Sequence, residues 1–387
     1  MLPFRQNRLL NILFLSNFFV SFHYALIIYI NSSFLSNIFS DAQVSAIYII
    51  ASILTTLTLI NISRILEKIG LYRFTLYLLT IEFLCTIGLT VAKSPILVGM
   101  YFILHTITIA TLLFNMDVYV ENVSKDKSIV GEIRATYLTI ANATIVLAPI
   151  FIAIIVTDSV YSYIYLLSSI SILPLYFLIK KFKDITHKPV EHIQIRQAVM
   201  DYMKDLDLYN VFIAQFILQL FYAFMIVYTP LYLQKYIGFS WSEIGIIFTI
   251  MLLPFILFEL PVGELSDRKY GEKEFMTIGF VIMGLSTLFI SFITVKVFWM
   301  WATILFITRI GASFVEISIE TYFFKKVDDE KTNVVSLFRV ARPISFIVAP
   351  ILATIAFQFI EFQYIFILIG LTMIFGTRYS MALNDTK

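Results

Sequence analysis

The chain has 387 residues, of which 59% are hydrophobic and 14% are charged, and its formal net charge is +2. Because soluble domains carry roughly 25% charged residues, this composition excludes a water-soluble globular protein. A net charge of +2 by itself says little, and we expect no nucleic-acid partner.

Twelve apolar stretches follow one another along the chain, and each is long enough to cross a bilayer core of about 30 Å as a helix. They form two sets of six, so the expected fold class is an all-α integral membrane protein with two six-helix bundles. The expected domains are residues 1–180, a charged cytoplasmic linker at 181–208, and residues 209–387. The predicted spans are 9–30, 44–62, 72–91, 95–119, 134–156, 161–179, 209–233, 242–263, 274–294, 298–323, 334–358 and 362–381.

The first span follows Arg5 and Arg8, as the apolar region of a signal peptide would. It runs for about 22 residues without a small-x-small cleavage site after it, so we expect a retained helix. The single cysteine, Cys85, lies inside an apolar span, which predicts neither a disulfide nor a cysteine metal site. The sequence also lacks a phosphate-binding glycine loop and a Cys/His cluster at metal-ligand spacing, so we expect no cofactor and no metal.

Lysine and arginine are distributed unevenly around the spans. With both termini on one side, the loops of that side hold or flank all 28 of these bases except Lys93, Lys235, Lys296 and Arg309. The positive-inside rule therefore places both termini in the cytoplasm. We expect a multi-pass protein of the cell membrane (plasma or inner), surrounded by the lipid bilayer and monomeric.

The linker carries apolar residues at helical spacing among its charges. This pattern predicts a short amphipathic helix on the membrane surface. The apolar residues are Ile195, Val199, Tyr202, Met203 and Leu206.

The two halves of the sequence resemble each other. Segments of the first half return in the same order in the second half, at offsets of 199 to 201 residues, which indicates a tandem repeat of a six-helix unit. The matched pairs are 39–48 with 239–248, 66–73 with 266–273, Asp117 and Glu121 with Glu316 and Glu320, and 147–150 with 348–351.

One of these segments carries a family motif. Residues 259–273 read ELPVGELSDRKYGEK, and the first half keeps a degenerate copy with Ser63, Glu67 and Lys68 at the motif's glycine, aspartate and arginine positions. With the repeat, this motif resembles that of the major facilitator superfamily, over nearly the whole chain. The resemblance implies two parallel repeats, a substrate site near the midplane and a cavity lined by the first, fourth, seventh and tenth spans. It also implies that the motif turn acts as a cytoplasmic latch.

Ionisable side chains inside the spans are the candidate site residues, because each is costly in hydrocarbon unless it faces a cavity or a partner. Arg309, Glu316 and Glu320 form one stripe on the tenth span, and the first span offers Asn17, Ser21, His23 and Tyr24. The candidates for substrate binding or coupling are Arg309, Glu316, Asp117, His105, Glu82, Gln219 and Tyr222. The candidates for a cytoplasmic gate are Asp267, Arg268, Glu67, Glu121, Arg134, Glu320, Arg339 and Arg342.

Each candidate has a structural alternative. Glu316 and Glu320 are at a depth where they could pair with Arg339 and Arg342 in a purely structural ion cluster. Glu82 is interpreted first as a protonated, hydrogen-bonded structural acid and second as a proton-transfer group. His105 is interpreted first as a lone, packed, neutral histidine.

These observations favour a secondary active transporter of a small solute, working by alternating access, without catalytic residues. Asp117, Glu316 and Glu82 are titratable, so proton coupling stays open. The alternatives are an integral-membrane lipid-linked transferase and a non-transporting membrane sensor. The transferase would need acidic residues in a sizeable outer loop, and the sensor would need a soluble partner domain.

Overall fold

The structure, a computed structural model, describes residues 4–123, 130–157, 160–183, 195–266, 271–327 and 332–384, apart from some side chains at helix ends. Within these ranges the chain is α-helical, with short turns and no strand. The helices are α1 (Phe4–Ile28), α2 (Asn31–Ser36), α3 (Asp41–Ile60), α4 (Ile62–Ile69), α5 (Leu71–Val91), α6 (Pro95–Val123), α7 (Val130–Ile155), α8 (Ser162–Ile179), α9 (Ile195–Lys204), α10 (Leu206–Leu231), α11 (Trp241–Leu265), α12 (Glu272–Ile290), α13 (Phe298–Lys326), α14 (Thr332–Ala356) and α15 (Ile365–Met381).

Twelve helical segments of the described chain are long and apolar enough to cross a membrane, which confirms the all-α class and the expected number of spans. The largest difference is in the first span, where α1 ends at Ile28 and the separate short helix α2 follows. The ninth span also ends earlier than expected, because a turn starts at Ser291.

The chain divides into two compact units, Met1–His192 and Ile193–Lys387. In each unit the same six pairs of spanning helices pack most extensively. The pairs of the first unit are α5–α6, α5–α8, α1–α8, α1–α7, α3–α6 and α1–α6, and those of the second are α12–α13, α12–α15, α10–α15, α10–α14, α11–α13 and α10–α13. The internal packing of the second unit therefore repeats that of the first.

The repeat extends to the start of the second span in each unit. The Ser40 hydroxyl accepts from the backbone N–H of Gln43, whose side chain accepts from the backbone N–H of Ser40. Ser240 and Glu243 form the same reciprocal pair at the start of α11. Such a capping box satisfies two otherwise unpaired N–H groups at a helix start, and here it is preserved at an offset of 200 residues.

The turn before the third span of each unit is also repeated. Gly70 has φ 82° and Gly271 has φ 89°, and each directly precedes a helix, α5 and α12 respectively. A side chain with a Cβ is strained at such positive φ angles, so glycine is required at both turns. The two turns therefore have the same glycine conformation at the same place before the third span.

The spanning helices of the second unit approach each other closely at two glycine pairs. A Cβ on Gly311 of α13 would lie 2.6 Å from the carbonyl oxygen of Gly279 on α12, and a Cβ on Gly370 of α15 would lie 2.7 Å from that of Gly284. Helices in lipid are not driven together by the hydrophobic effect, so van der Waals contact between them must supply the attraction. Glycine, which lacks a side chain, lets the two backbones come close enough for that contact.

The predicted linker helix is present as α9, while residues 184–194 lie outside the described residues. Tyr202 packs on Phe212 of α10, with 4.9 Å between ring centroids, and its hydroxyl donates to the carbonyl of Val334. This burial raises the pKa of the Tyr202 phenol well above its usual range. Val199 and Met203 stay exposed, which leaves an apolar edge on the helix.

Candidate functional site

The first candidate site is in the second unit, at the polar stripe of α13. Arg309 lies near the middle of this helix and is only 2% exposed. Its guanidinium carbon is 5.0 Å from the ring centroid of Phe221 and 6.0 Å from that of Tyr222, both on α10. The face of an aromatic ring attracts a cation, and the attraction is stronger in a desolvated site. The two rings on α10 therefore stabilise the positive charge of Arg309.

The same helix pair carries a hydrogen bond two turns along α13. The Tyr222 hydroxyl donates to Oε2 of Glu316 over 2.6 Å. The structure thus brings Arg309, Glu316 and Tyr222 together, and we call these three residues the Arg309 site.

Gln219 lies one turn before Tyr222 on α10 and is 8% exposed. It therefore adds an amide to the buried polar surface of α10. The binding role of Gln219 and of the Arg309 site stays a prediction.

The second candidate site is in the first unit, where three spanning helices meet around Glu82 of α5. His23 of α1 places Nε2 at 2.8 Å from Glu82 Oε1, and His105 of α6 places Nδ1 at 2.5 Å from the same oxygen. The Thr108 hydroxyl bonds the other carboxyl oxygen, Oε2. We call His23, Glu82, His105 and Thr108 the Glu82 cluster.

The cluster is buried and is supported from α8. His23, Glu82 and His105 are 0%, 0% and 2% exposed. On its far side, His23 Nδ1 lies 2.9 Å from the carbonyl oxygen and 2.8 Å from the hydroxyl of Ser168. The interpretation of His105 as a lone packed histidine is therefore wrong, because the fold brings it to a carboxyl group that is 23 residues away in the chain.

The polar residues of the first span were expected, from the family resemblance, to line a cavity. In the structure, His23 bonds Glu82, and the Asn17 amide donates to the carbonyl of Tyr137 on α7 over 2.6 Å. Ser21 in turn donates to Asn17. A buried amide or imidazole without a hydrogen-bond partner is costly in an apolar interior. The hydrogen bonds of Asn17, Ser21 and His23 inside the first unit avoid this cost. The cavity-lining role stays a prediction.

Two histidines and a glutamate are also a possible donor set for a transition metal, although the sequence offered no metal-ligand spacing. Their ligand atoms lie within 4.8 Å of one another. Tetrahedral Zn²⁺ with bonds of about 2.0–2.1 Å would hold its ligand atoms about 3.3 Å apart. Oε1 of Glu82 lies 2.8 Å and 2.5 Å from the two ring nitrogens, which are hydrogen-bond distances. The residue types fit a metal, but the geometry fits shared protons.

For the remaining candidate residues, the structure gives only how exposed their side chains are. Glu67, Glu121 and Arg342 are exposed, whereas Asp117, Glu320 and Arg339 are half-buried. Asp267, Arg268 and the side chain of Arg134 lie outside the described residues. The gate role of all these residues, and the coupling role of Asp117, stay predictions.

The sequence analysis missed two buried acids at one end of the second unit. Asp207 is 3% exposed and pairs with Lys326 over 2.5 Å, and it also accepts from the backbone and the side-chain amide of Asn384, each over 3.0 Å. Glu272 is 1% exposed and pairs with Lys325 over 2.5 Å. Two neighbouring lysines at the end of an apolar span were a signal for such acids, since buried charges need partners.

Comparison with known protein families gives a match, which lies in the second unit. Residues 211–383 match the sequence family described as Major Facilitator Superfamily. No curated protein matches the sequence of the chain.

Solved structures resemble the chain over nearly its full length. The nucleoside transporter NupG has a TM-score of 0.71 at 13% identity, over 97% of this chain and 98% of that one. A structure described as giving insights into substrate recognition in proton dependent oligopeptide transporters has a TM-score of 0.74 at 12% identity, again over 97% and 98%. The family model thus matches most of the second unit, and the solved structures share the fold of nearly the whole chain.

Proposed function

We propose that this protein is a secondary active transporter that moves a small polar solute across a membrane by alternating access, and that the solute binds at the Arg309 site. The observation that carries the proposal is a buried arginine in the middle of a membrane-spanning helix, next to a tyrosine that is bonded to a glutamate. An ionisable group at this depth is expensive and marks a substrate or ion pathway.

The chemistry of the site defines the class of solute. A guanidinium offers a planar fork of donors, which suits a carboxylate or another planar group with two acceptors. Glu316 is an acceptor for a donor of the solute, and the faces of Phe221 and Tyr222 suit a flat ring or a planar amide. A nucleoside or a short peptide satisfies these requirements, and proteins described as transporters of such compounds share the fold.

The placement of the protein follows from its charges. The excess of Lys and Arg on one side supports a position in the cell membrane with both termini in the cytoplasm. We further propose a monomer without enzymatic activity, because one unit of one chain supplies all three residues of the Arg309 site.

The test is ligand binding by thermal shift on the purified full chain, with nucleosides such as uridine and adenosine and with di- and trialanine as probes. A ligand that binds only the folded protein raises its apparent melting temperature. We expect at least one probe to raise that of the wild type and not that of Arg309→Ala. Arg309→Lys should also lose most of the shift, since an ammonium group cannot reproduce the fork.

The matched control is Arg378→Ala, which removes an exposed arginine from α15 of the same unit. It should keep the wild-type shift. A full shift in Arg309→Ala would contradict the assignment of the site, and no shift with any probe in the wild type would contradict the proposed solute class.

A further inference from the structure

The Glu82 cluster lies deep inside the membrane-spanning part of the first unit. Glu82 is separated from both ends of α5, Leu71 and Val91, by about 13 Å or more at 1.5 Å per residue. Charged groups at this depth are retained where they bind ions or relay protons. The Arg309 site does not use these groups, because it belongs to the other unit.

The hydrogen bonds of His23 fix the proton on one of its ring nitrogens. The carbonyl oxygen of Ser168, 2.9 Å from Nδ1, can only accept, and the Ser168 hydroxyl donates its hydrogen to the backbone carbonyl of His23, 3.0 Å away. We therefore assign a hydrogen to Nδ1. Nε2 then has two complete arrangements. It donates a second hydrogen to Glu82 Oε1, 2.8 Å away, or it accepts one from a protonated Glu82.

The hydrogen bonds of Thr108 are likewise compatible with two states of the other carboxyl oxygen, Oε2, ionised or protonated. Its hydroxyl has one hydrogen, yet it faces both Glu82 Oε2 and the carbonyl oxygen of Leu104, which is 2.8 Å away. If the hydroxyl donates to Glu82, the carboxylate is ionised. If it donates to Leu104, its lone pairs accept a hydrogen from a protonated Oε2. Both arrangements leave every group of this contact satisfied.

We propose that the Glu82 cluster is the proton-binding site of this protein and that it takes up one proton on Oε2 of Glu82. In the empty state the carboxylate is ionised, His23 is doubly protonated, and Thr108 donates to Oε2. Proton uptake forms one O–H bond, breaks no covalent bond and raises the charge of the cluster by one. The new hydroxyl of Glu82 donates to Thr108, whose own hydrogen turns to the carbonyl of Leu104.

The surroundings place few other titratable groups near this proton. Among the described residues, the titratable groups bonded to Glu82 are His23 from α1 and His105 from α6, and the buried Cys85 follows one turn later on α5 itself. From α8 the cluster receives Ser168. α3 reaches it through Tyr48, which packs on Phe102 beside His105, and α7 packs on α1 at Tyr137 and Asn17.

The internal repeat shows that packing does not require this cluster. The helices α12 and α13 pack as α5 and α6 do. The offset of 201 residues between Gly70 and Gly271 makes Met283 equivalent to Glu82, and the offset of 199 between Asp117 and Glu316 makes Ile304 equivalent to His105, so both positions are apolar in the second unit. Since the second unit packs the same helix pair without ionisable groups at these two positions, packing alone does not account for the charges at Glu82 and His105.

Infrared difference spectra of the purified full chain test proton binding without any substrate. A titration from alkaline to acidic pH should give the carbonyl stretching band of one protonated carboxylic acid in an apolar environment. This band should be absent in Glu82→Gln. It should be unchanged in Glu264→Gln, a matched control that removes an exposed acid.

The second variant is Thr108→Val, which keeps the carboxyl group and both imidazoles but removes the hydroxyl. Its carboxylic acid band should shift, because the protonated Oε2 loses its acceptor, and it serves as the test if Glu82→Gln does not fold. A wild type without the band, a Glu82→Gln spectrum equal to the wild type, or an unshifted band in Thr108→Val would overturn the proposal. A band that appears only after metal chelation would assign the cluster to a metal ion instead.

The coupling of this proton to movement of a solute rests on the proposed function and is tested separately. In proteoliposomes, a pH gradient should drive accumulation of the nucleoside or peptide probe by the wild type and by Glu264→Gln. Accumulation by Glu82→Gln should fall to the level reached without a gradient. If no probe is transported by the wild type, the proposed function fails while the infrared result stands. Undiminished accumulation by Glu82→Gln overturns the coupling.

Discussion

Buried ionisable side chains in this protein are held by partners from other helices rather than by neighbours on their own helix. Glu82 bonds His23 and His105, Glu316 bonds Tyr222, and Asp207 bonds Lys326. Removing one partner of such a pair leaves a buried group without compensation, which costs more than the pair itself contributes. The loss of folding stability that follows removal of one partner therefore tests whether a buried ion pair has a structural role.

Asp207 should be a structural acid. Replacing it with alanine removes the acceptor for Lys326 and for two N–H groups of Asn384, and so frees the end of the chain after α15 from α10. We expect a loss of about 1–3 kcal/mol, discounted because Lys326 is 34% exposed, and a lower apparent melting temperature in detergent. The control Glu274→Ala removes an exposed acid and should change little; equal losses in both variants would rule out a specific role for Asp207.

At the residue scale, the sequence predicted the Arg309 site better than the Glu82 cluster. Helical periodicity alone places Arg309 and Glu316 on one face of α13, and only the partner helix had to be inferred from the family resemblance. The Glu82 cluster joins α1, α5 and α6, and which face of one helix meets which face of another is decided by tertiary packing. The shared depth of His23, Glu82 and His105 in their spans was the one available signal.

At the scale of the helices, the two units use the same pairs of neighbours but different contacts. α5 and α6 meet through the Glu82 cluster, whereas α12 and α13 meet where Gly279 faces Gly311. The sequence predicted the lengths of these helices because apolar length and flanking charge mark the ends of a span. It did not predict the glycine contacts, since a glycine in an apolar run carries no information about which helix approaches it.

The glycine contact predicts a sharp difference between two substitutions in the second unit. Gly311→Ala would place a Cβ 2.6 Å from the carbonyl oxygen of Gly279, so α12 and α13 must move apart. We expect a loss of about 1–3 kcal/mol, as for other overpacked interiors, seen as a lower melting temperature.

Gly263→Ala is the matched control, because its Cβ would meet its nearest neighbour, Ile317, at an ordinary 3.6 Å. It should leave the melting temperature within the error of measurement or raise it slightly. If both variants melt alike, the close approach of α12 and α13 does not contribute to stability.

At the scale of the whole molecule, the duplication explains both what the units share and how they differ. The capping boxes at Ser40 and Ser240 and the glycine turns at Gly70 and Gly271 keep the two units alike in backbone. The buried charges differ, with a carboxyl and two imidazoles in the first unit and an arginine, a tyrosine and a glutamate in the second. We propose accordingly that the first unit binds a proton at the Glu82 cluster and that the second unit binds the solute at the Arg309 site.

The most direct test of the central proposal, transport by alternating access, is counterflow in proteoliposomes. Vesicles that contain the purified protein are loaded with an excess of the unlabelled probe that raises its melting temperature, and the labelled probe is added outside. Without nucleotide or ion gradient, we predict a transient accumulation of label inside, present with Arg378→Ala and absent with Arg309→Ala. A wild type that binds the probe but shows no more internal label than protein-free vesicles would contradict the account.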